Sequence, residues 1–312
     1  MGIKERLEIA DKEKVCCQIE DFIKNIMTDW QREGCILGIS GGLDSALVAY
    51  LAVRAIGKAN VQALFMPERD SSKQSYDDAR LIAEILGLSM KEISLTPLLK
   101  KIGVYGLEPS PMFIPRSIQE RYVTQKYHQY STEEEPTFLK TLKGGIGQSD
   151  LQKHIAYYRI KHRLRMVLLY FYGEMNNLLI LGTCNKSEKM TGFFVKYGDS
   201  ASDIDPIADL YKTQVKQLAR YLLIPDRIID KAPTPDLMPG LTDEQAMRIS
   251  YDKLDIVLMG LALFMDEQDI AQEAEVDPAT IAYIKRLVQL SEHMRNLPPH
   301  PLISSLSDDI KC

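Results

Sequence analysis

Residues Ile36–Leu51 read ILGISGGLDSALVAYL, and no other stretch limits the possible folds of this chain so strongly. Cys35–Ile39 has the length and apolar character of a buried strand. It runs into Ser40-Gly41-Gly42-Leu43-Asp44-Ser45, after which Ala46, Ala49, Tyr50 and Val53 recur at i, i+3, i+4 and i+7, one face of a helix. A glycine turn between a strand and a helix N-terminus presents backbone N–H groups to an anion, and the helix dipole adds about half a positive charge there. Glycine allows close backbone approach and positive φ. Ser40 and Ser45 add hydroxyl donors. Asp44 is out of place beside a phosphate unless a cation lies between them, so it reads as a magnesium ligand, direct or through water. The competing reading is a tight strand-to-helix turn in which Asp or Ser only caps the helix.

The surrounding rhythm agrees with a nucleotide-binding sheet. Val61–Met66, Lys91–Leu95 and Asn177–Gly182 read as further strands, and Ala79, Ile82, Ala83 and Leu86 as a helix face. Strand and helix alternate, which predicts an α/β fold: a Rossmann-like parallel sheet with helices on both faces and a helical C-terminal extension. Residues 3–31 predict one long amphipathic helix ending near Trp30. From Gly103 to Asp150 the rhythm stops among prolines, aromatics, an acidic run Glu133–Glu135 and Lys143-Gly144-Gly145-Ile146-Gly147. Such a stretch is a functional loop or lacks fixed structure. It follows the third strand, so it would emerge beside the glycine loop as a flap. Leu151–Tyr172 resumes as a helix with Tyr157, Ile160, Leu164, Val167, Leu168 and Phe171 on one face and Arg159, Lys161, Arg163 and Arg165 on the other. Val215, Leu218, Ala219 and Leu222 mark another helix. With no repeat and no linker, residues 1–312 read as one domain, carrying an insertion at about 104–150 and a helical part at about 243–312.

Composition excludes several classes. The five cysteines, Cys16, Cys17, Cys35, Cys184 and Cys312, are odd in number and form no CxxC pair, which argues against a disulfide framework or a cysteine zinc site. The net charge of −5 supplies no global field for nucleic acid. The segment IAQEAEVDPATIAYIKRLV scans like a helix-turn-helix, but acidic residues crowd its first helix. No apolar run approaches the ~18 residues of a membrane span. The N-terminus, MGIKERLEIADKEK, lacks a signal-peptide core, so a reducing cytoplasm is expected.

Neither GxxxxGK[ST] nor GxGxxG is present. The string SGGLDS instead resembles the pyrophosphate-binding loop of the ATP pyrophosphatases, adenylating enzymes of the adenine nucleotide alpha-hydrolase type that cleave ATP between the α- and β-phosphates. Leu181 to Asp199, LGTCNKSEKMTGFFVKYGD, narrows the resemblance together with Asp203-Ile204, Pro206-Ile207, Leu210-Tyr211-Lys212-Thr213-Gln214-Val215, Pro233-Thr234-Pro235-Asp236-Leu237 and Thr242-Asp243-Glu244. In combination these motifs resemble the ammonia-dependent NAD synthetases, over about 34–95 and 159–258. The resemblance implies ATP-dependent amidation of nicotinic acid adenine dinucleotide through an acyl-adenylate, releasing pyrophosphate and AMP. ATP contacts fall on Gly38, Ile39, Ser40, Gly41, Gly42, Leu43, Asp44, Ser45, Thr183, Lys212 and Thr234. Asp44 and Glu188 would hold Mg²⁺, and Asp44 and Lys212 would be catalytic. Arg165, Lys196, Asp199 and Asp203 would contact the dinucleotide.

The resemblance also implies a homodimer, with the N-terminal and basic helices as candidates to form its interface. Only about 33 residues precede the first strand, too few for a glutaminase domain, so free ammonia or a separate glutaminase subunit is implied. The chain departs from the family pattern in six places: Cys184 where a small residue is usual, Gly198-Asp199-Ser200-Ala201 for GDGG, Arg159 for an asparagine, Met66-Pro67-Glu68-Arg69 where an arginine often follows the second strand, PTPDL for PTADL, and an insertion at 104–150 longer than compact members carry. They leave open a related ligase that adenylates and amidates a different carboxylate.

Overall fold

The computed structural model describes residues 2–108, 114–132, 135–234 and 240–301. In chain order the first half forms α1 (Ile3–Leu7), α2 (Lys12–Asp29), β1 (Gly34–Gly38), α3 (Leu43–Ile56), β2 (Val61–Phe65), α4 (Lys73–Leu86), β3 (Met90–Glu92), α5 (Thr96–Lys101), α6 (Arg116–Gln129) and α7 (Thr137–Leu142). Then come α8 (Ser149–Met175), β4 (Leu178–Ile180), α9 (Lys186–Thr191), α10 (Lys212–Tyr221), α11 (Asp226–Ile229), α12 (Asp243–Met247), α13 (Tyr251–Ala262), α14 (Glu267–Ala274), α15 (Pro278–Leu290) and α16 (Glu292–Arg295).

The strands pair in the order β3-β2-β1-β4, all parallel, with Cys35 beside Val61 on one side and Leu179 on the other. Alternation along each strand divides the core. Cys35, Leu37, Ala63 and Phe65 pack under α2, α3, α4 and α10, while Ile36, Leu64 and Ile180 pack under α5 and α8. A strand buried on both faces must be apolar throughout, which is why β1 and β2 read as continuous runs. The expected parallel sheet with helices on both faces is therefore observed. A third cluster joins α1, α7, α9 and α12–α15 through Ile3, Phe138, Phe194, Leu254 and Ile284.

Three expectations change. The N-terminal helix is two helices. Glu8 leaves helical geometry at φ −76°, ψ 127°, and Asp11 starts α2 by accepting a hydrogen bond from Lys14 N at 2.9 Å. Burial explains the break: α1 packs in the C-terminal helical cluster and α2 under the sheet. The insertion is not structureless where it is described, because α6 and α7 lie within it and Phe138, Leu139 and Leu142 of α7 are core residues. The face of α8 is also not simply charged outside and apolar inside. Lys161 is fully buried, pairing with Glu68 Oε1 at 2.9 Å and Asp70 Oδ2 at 2.8 Å, whereas Val167 and Phe171 are exposed. The expected helical C-terminal part runs to Arg295, and residues 302–312 lie outside the described residues.

Candidate active site

From β1 the chain proceeds to β2 and β3 on one side, whereas β4 lies on the other. Such a switch leaves a crevice at the strand C-termini, where parallel α/β sheets bind ligands. The glycine loop follows β1 there, and Thr183 follows β4. Together they open a cavity of about 230 Å³ lined by Gly38, Ile39, Ser40, Gly42, Leu43, Asp44, Ser45, Arg165, Thr183, Glu188, Asp199, Lys212, Thr234 and Asp243, among others. The structure thus brings most of the expected site residues together. Gly41 stands behind them.

The loop is internally braced. Ser40 N donates to Ser45 Oγ at 3.2 Å, Ser45 Oγ donates to Gly42 O at 3.0 Å, and Gly42 N donates to Ser40 Oγ at 3.2 Å. The two hydroxyls hold the turn's shape as well as facing the cavity. Gly41 has φ +77°, and a Cβ there would lie 2.3 Å from Ser75 O. Gly41→Ala should therefore cost about 1–3 kcal/mol in backbone strain, with a further loss from the clash, and abolish ATP binding. Calorimetric unfolding and ATP titration would measure both.

Behind the loop, Lys231 Nζ donates to Gly41 O at 3.1 Å, Ser75 Oγ at 3.4 Å and Asp78 Oδ2 at 2.9 Å. Asp78 is fully buried and also meets Arg227. Lys231 thus ties the loop to α4 and to the segment carrying Thr234. Lys231→Met should raise the KM for ATP about tenfold with a smaller change in kcat, and cost about 1–3 kcal/mol of stability. Initial-rate kinetics and denaturant unfolding check the two parts. An unchanged KM would contradict the positioning role.

Asp44, at the start of α3, reaches two partners. Lys212 Nζ pairs with its Oδ2, and Asn185 Nδ2 donates to its Oδ1 at 2.9 Å. Asn185 caps α9 by accepting from Glu188 N at 3.0 Å, and Glu188 Oε2 accepts in return from Asn185 N at 3.1 Å. This capping box holds Glu188 in place. Glu188 Oε1 lies 3.7 Å from Lys212 Nζ. Burial pushes the Glu188 carboxyl well above its ordinary range, and Asp44 adds to the effect. Burial would push the Lys212 ammonium down, but Asp44, Glu188 and Asp243 together hold it above its ordinary value.

Lys212 is the first residue of α10. Its N–H donates to Ser187 Oγ at 2.9 Å, and Thr213 N donates to Asp255 Oδ2 at 2.8 Å. Ser187 also donates to Asp255 Oδ1. Burial pushes the Asp255 carboxyl up to about 6, against these donors. Asp243, at the far wall, is pushed up to about 7 by burial, with Lys212 pulling the other way.

The departures in sequence are absorbed locally. Cys184 is buried, its thiol donates to Asp199 O at 3.4 Å, and burial raises it well above its ordinary value, which makes it inert. Neither Ser200 nor Ala201 is among the residues with positive φ, so losing two glycines there adds no strain. Ser200 Oγ donates to Val195 O at 3.1 Å, and Asp199 Oδ1 accepts from Val195 N at 2.7 Å. Arg159 donates to Thr141 O at 3.0 Å. Thr234 lines the cavity, while Pro235-Asp236-Leu237 lie outside the described residues. Arg165 Nε donates to Met66 O at 3.2 Å at the cavity wall.

Two expected residues do not reach the cavity. Lys196 Nζ donates to His293 O at 2.6 Å, and Asp203 Oδ2 accepts from Ile180 N at 2.9 Å. Sequence reasoning missed Asn185, Lys231, Asp243, Asp255 and His162. His162 lines the cavity 3.8 Å from Asp199 Oδ2, and burial pushes its ring down to about 4. Asn-Lys-Ser-Glu was a readable capping box, and Asp243 lay in a second one, Thr-x-x-Gln; the others gave no local signal.

The family model described as NAD synthase matches residues 15–112 and 123–298. The chain belongs to the NAD synthase family. It is 45% identical over 278 residues to the NH(3)-dependent NAD(+) synthetase of Thermotoga maritima, covering 89% of this chain and 95% of that one. It is 34% identical to the protein of the same name from Methanocaldococcus jannaschii, covering 93% and 97%. Among solved structures it resembles the NH3-dependent NAD synthetase of Campylobacter jejuni, at TM-score 0.65 and 28% identity over 94% of this chain and all (100%) of that one. It also resembles the NMN synthetase of Francisella tularensis, at TM-score 0.69 and 26% identity over 95% and 100%. The expectation of a NAD synthetase family member is thereby met.

Proposed function

We propose that this chain amidates nicotinic acid adenine dinucleotide to NAD in an ATP-dependent reaction, with ammonia as the nitrogen donor. The observation that carries the reading is the convergence of Asp44, Glu188 and Lys212 at the glycine loop, in a chain closely similar to enzymes of that name. In the first step the nicotinate carboxylate oxygen attacks the α-phosphorus, and the bond to pyrophosphate breaks. In the second, ammonia attacks the acyl carbon and AMP leaves. Neither step needs a protein nucleophile. The chain's work is orientation and charge stabilisation. The loop from Gly38 to Ser45 cradles phosphates, with Thr183 and Thr234 on the ATP side, and Lys212 offsets charge developing at the α-phosphate. Arg165 and Asp199 face the acid substrate.

The residues present fit a magnesium ion. The Asp44 and Glu188 carboxylates, on separate elements, both lie within 4 Å of the one Lys212 ammonium. Asp44 and Glu188 would hold the ion, a hard oxygen-ligand set. It would supply the positive charge that lets phosphate oxygens approach them.

A homodimer is also proposed. Val167, Phe171 and Met175 recur every fourth residue on α8 and are 52%, 55% and 59% exposed, an apolar stripe suited to a second copy. Lys196 and Asp203 would then contact the dinucleotide where two copies meet. Light scattering should report a dimer, and Phe171→Glu should dissociate it. Residues 1–312 are proposed to act as one unit, since α1 packs in the core of α13 and α14. Ammonia would arrive free or from a separate glutaminase subunit, and the chain would work in the cytoplasm without nucleic-acid partners. Among the described residues no helix is long and apolar enough to cross a membrane.

Pyrophosphate exchange tests the adenylation half. Labelled pyrophosphate should enter ATP only when magnesium and nicotinic acid adenine dinucleotide are both present. Exchange driven equally by unrelated carboxylates would favour a different acid substrate.

A further inference from the structure

One buried carboxylate on the cavity wall plays no part in the steps above. Asp243 is 4% exposed and lines the cavity with Lys212, Glu188 and Thr234. Its position is fixed: Thr242 caps α12, the Asp243 N–H donates to Pro233 O at 2.9 Å, and its Oδ2 accepts from the Tyr251 hydroxyl at 3.2 Å. Its Oδ1 is buried and has no hydrogen-bond partner among the described residues. A buried carboxylate oxygen without a donor is costly, so such an atom calls for a cation or a donor from outside the chain. The Lys212 ammonium hydrogen-bonds Asp44 and makes no hydrogen bond to this oxygen.

The local charge points the same way. Asp44 and Glu188 lie within 4 Å of the one Lys212 ammonium, and Asp243 lines the same wall. A divalent metal ion is not what this point of the wall suits, since such an ion takes about six oxygen ligands and Asp243 Oδ1 offers one. An ammonium ion needs only hydrogen-bond acceptors, and one carboxylate oxygen in a low-dielectric wall provides a charge-assisted contact. A cation bound there would also restore the ionised carboxylate that burial disfavours.

We propose that Asp243 Oδ1 seats the ammonium co-substrate at the wall of the reaction cavity. The inference rests on the amidation reading. It gives Asp243 a role in the second step and none in the first: the seated ammonium passes one proton to the Asp243 carboxylate, and the ammonia so formed attacks the acyl carbon as AMP leaves.

The test separates the two steps in Asp243→Asn, which keeps the side chain's shape. Pyrophosphate exchange without ammonia should fall much less than amidation does. The KM for ammonium should rise at least tenfold. The KM for hydroxylamine, a nucleophile uncharged at neutral pH, should change little. An unchanged ammonium KM, an equal effect on hydroxylamine, or a loss of exchange in step with amidation would each overturn the proposal. Should the variant not fold, wild-type protein decides the matter. Potassium, close to ammonium in size, should compete with ammonium and not with hydroxylamine, and absence of that competition would overturn it. If wild-type protein shows no exchange with the acid dinucleotide, it is the amidation reading that fails.

Discussion

Asp44→Asn and Glu188→Gln are each expected to slow pyrophosphate exchange by about 10²–10³-fold, the scale of losing one preorganised electrostatic partner, while the fold survives. The geometry explains why folding is spared. Asn at 44 can still accept the hydrogen bond that Asn185 donates to Asp44 Oδ1. Gln at 188 can still complete the capping box with Asn185, since Gln serves at that position as Glu does. What each substitution removes is one negative charge at the point where Lys212 and a divalent cation would compete for it. The apparent affinity for Mg·ATP should weaken in both variants, and their circular dichroism should match wild type. Near-normal exchange in both variants would contradict the assignment of these carboxylates.

Lys212→Met should be damaging in a different way. Lys212 is buried, and removing it leaves Asp44 and Glu188 on one wall with no ammonium between them. Breaking a buried pair on one side costs about 3–5 kcal/mol, a fall in Tm of roughly 5–8 °C for a chain of this size. The loss should depend on pH. Glu188 already holds its proton more tightly in the folded state than its ordinary value implies, and removal of Lys212 strengthens that. An acid with a raised folded pKa contributes stability below its unfolded pKa and loses it as pH rises through the folded one. The deficit against wild type should therefore be small near pH 5 and largest near pH 8. Magnesium should raise the Tm of the variant more than that of wild type, since it supplies the missing positive charge. Exchange should fall with the stability deficit corrected, because Lys212 is also proposed to offset charge at the α-phosphate. A pH-independent loss of stability, unaffected by magnesium, would reduce Lys212 to a packing role.

How much of this was readable in sequence depended on whether a residue's partners were near it in the chain. The glycine loop was legible because β1, the turn and α3 are contiguous, and both strand burial and the helical period are local patterns. The expectation for β4 held for the same reason. Lys161 was not legible. Four basic residues on one helix read as a solvated face, and only the fold brings Glu68 and Asp70 from the loop after β2 to bury it. The break between α1 and α2 was hidden because apolar spacing continues through Glu8–Asp11 while the two halves join different cores. In the insertion, α7 is too short to show periodicity, and its burial depends on α12 and α15. Asp243 gave only a capping signal, Thr-x-x-Gln, and nothing in the chain announces that one of its oxygens lacks a donor. Lys196 and Asp203 were read from resemblance, and in a single copy of the chain they point to backbone atoms instead of the cavity.

The measurement closest to the central claim is product analysis with isotopically labelled ammonium. Purified protein is given ATP, magnesium, nicotinic acid adenine dinucleotide and ¹⁵N-ammonium, and the products are separated and weighed by mass spectrometry. NAD carrying one ¹⁵N in its carboxamide should form together with equal amounts of AMP and pyrophosphate, and no ADP. Formation of ADP and phosphate, or AMP and pyrophosphate without labelled NAD, would contradict the account.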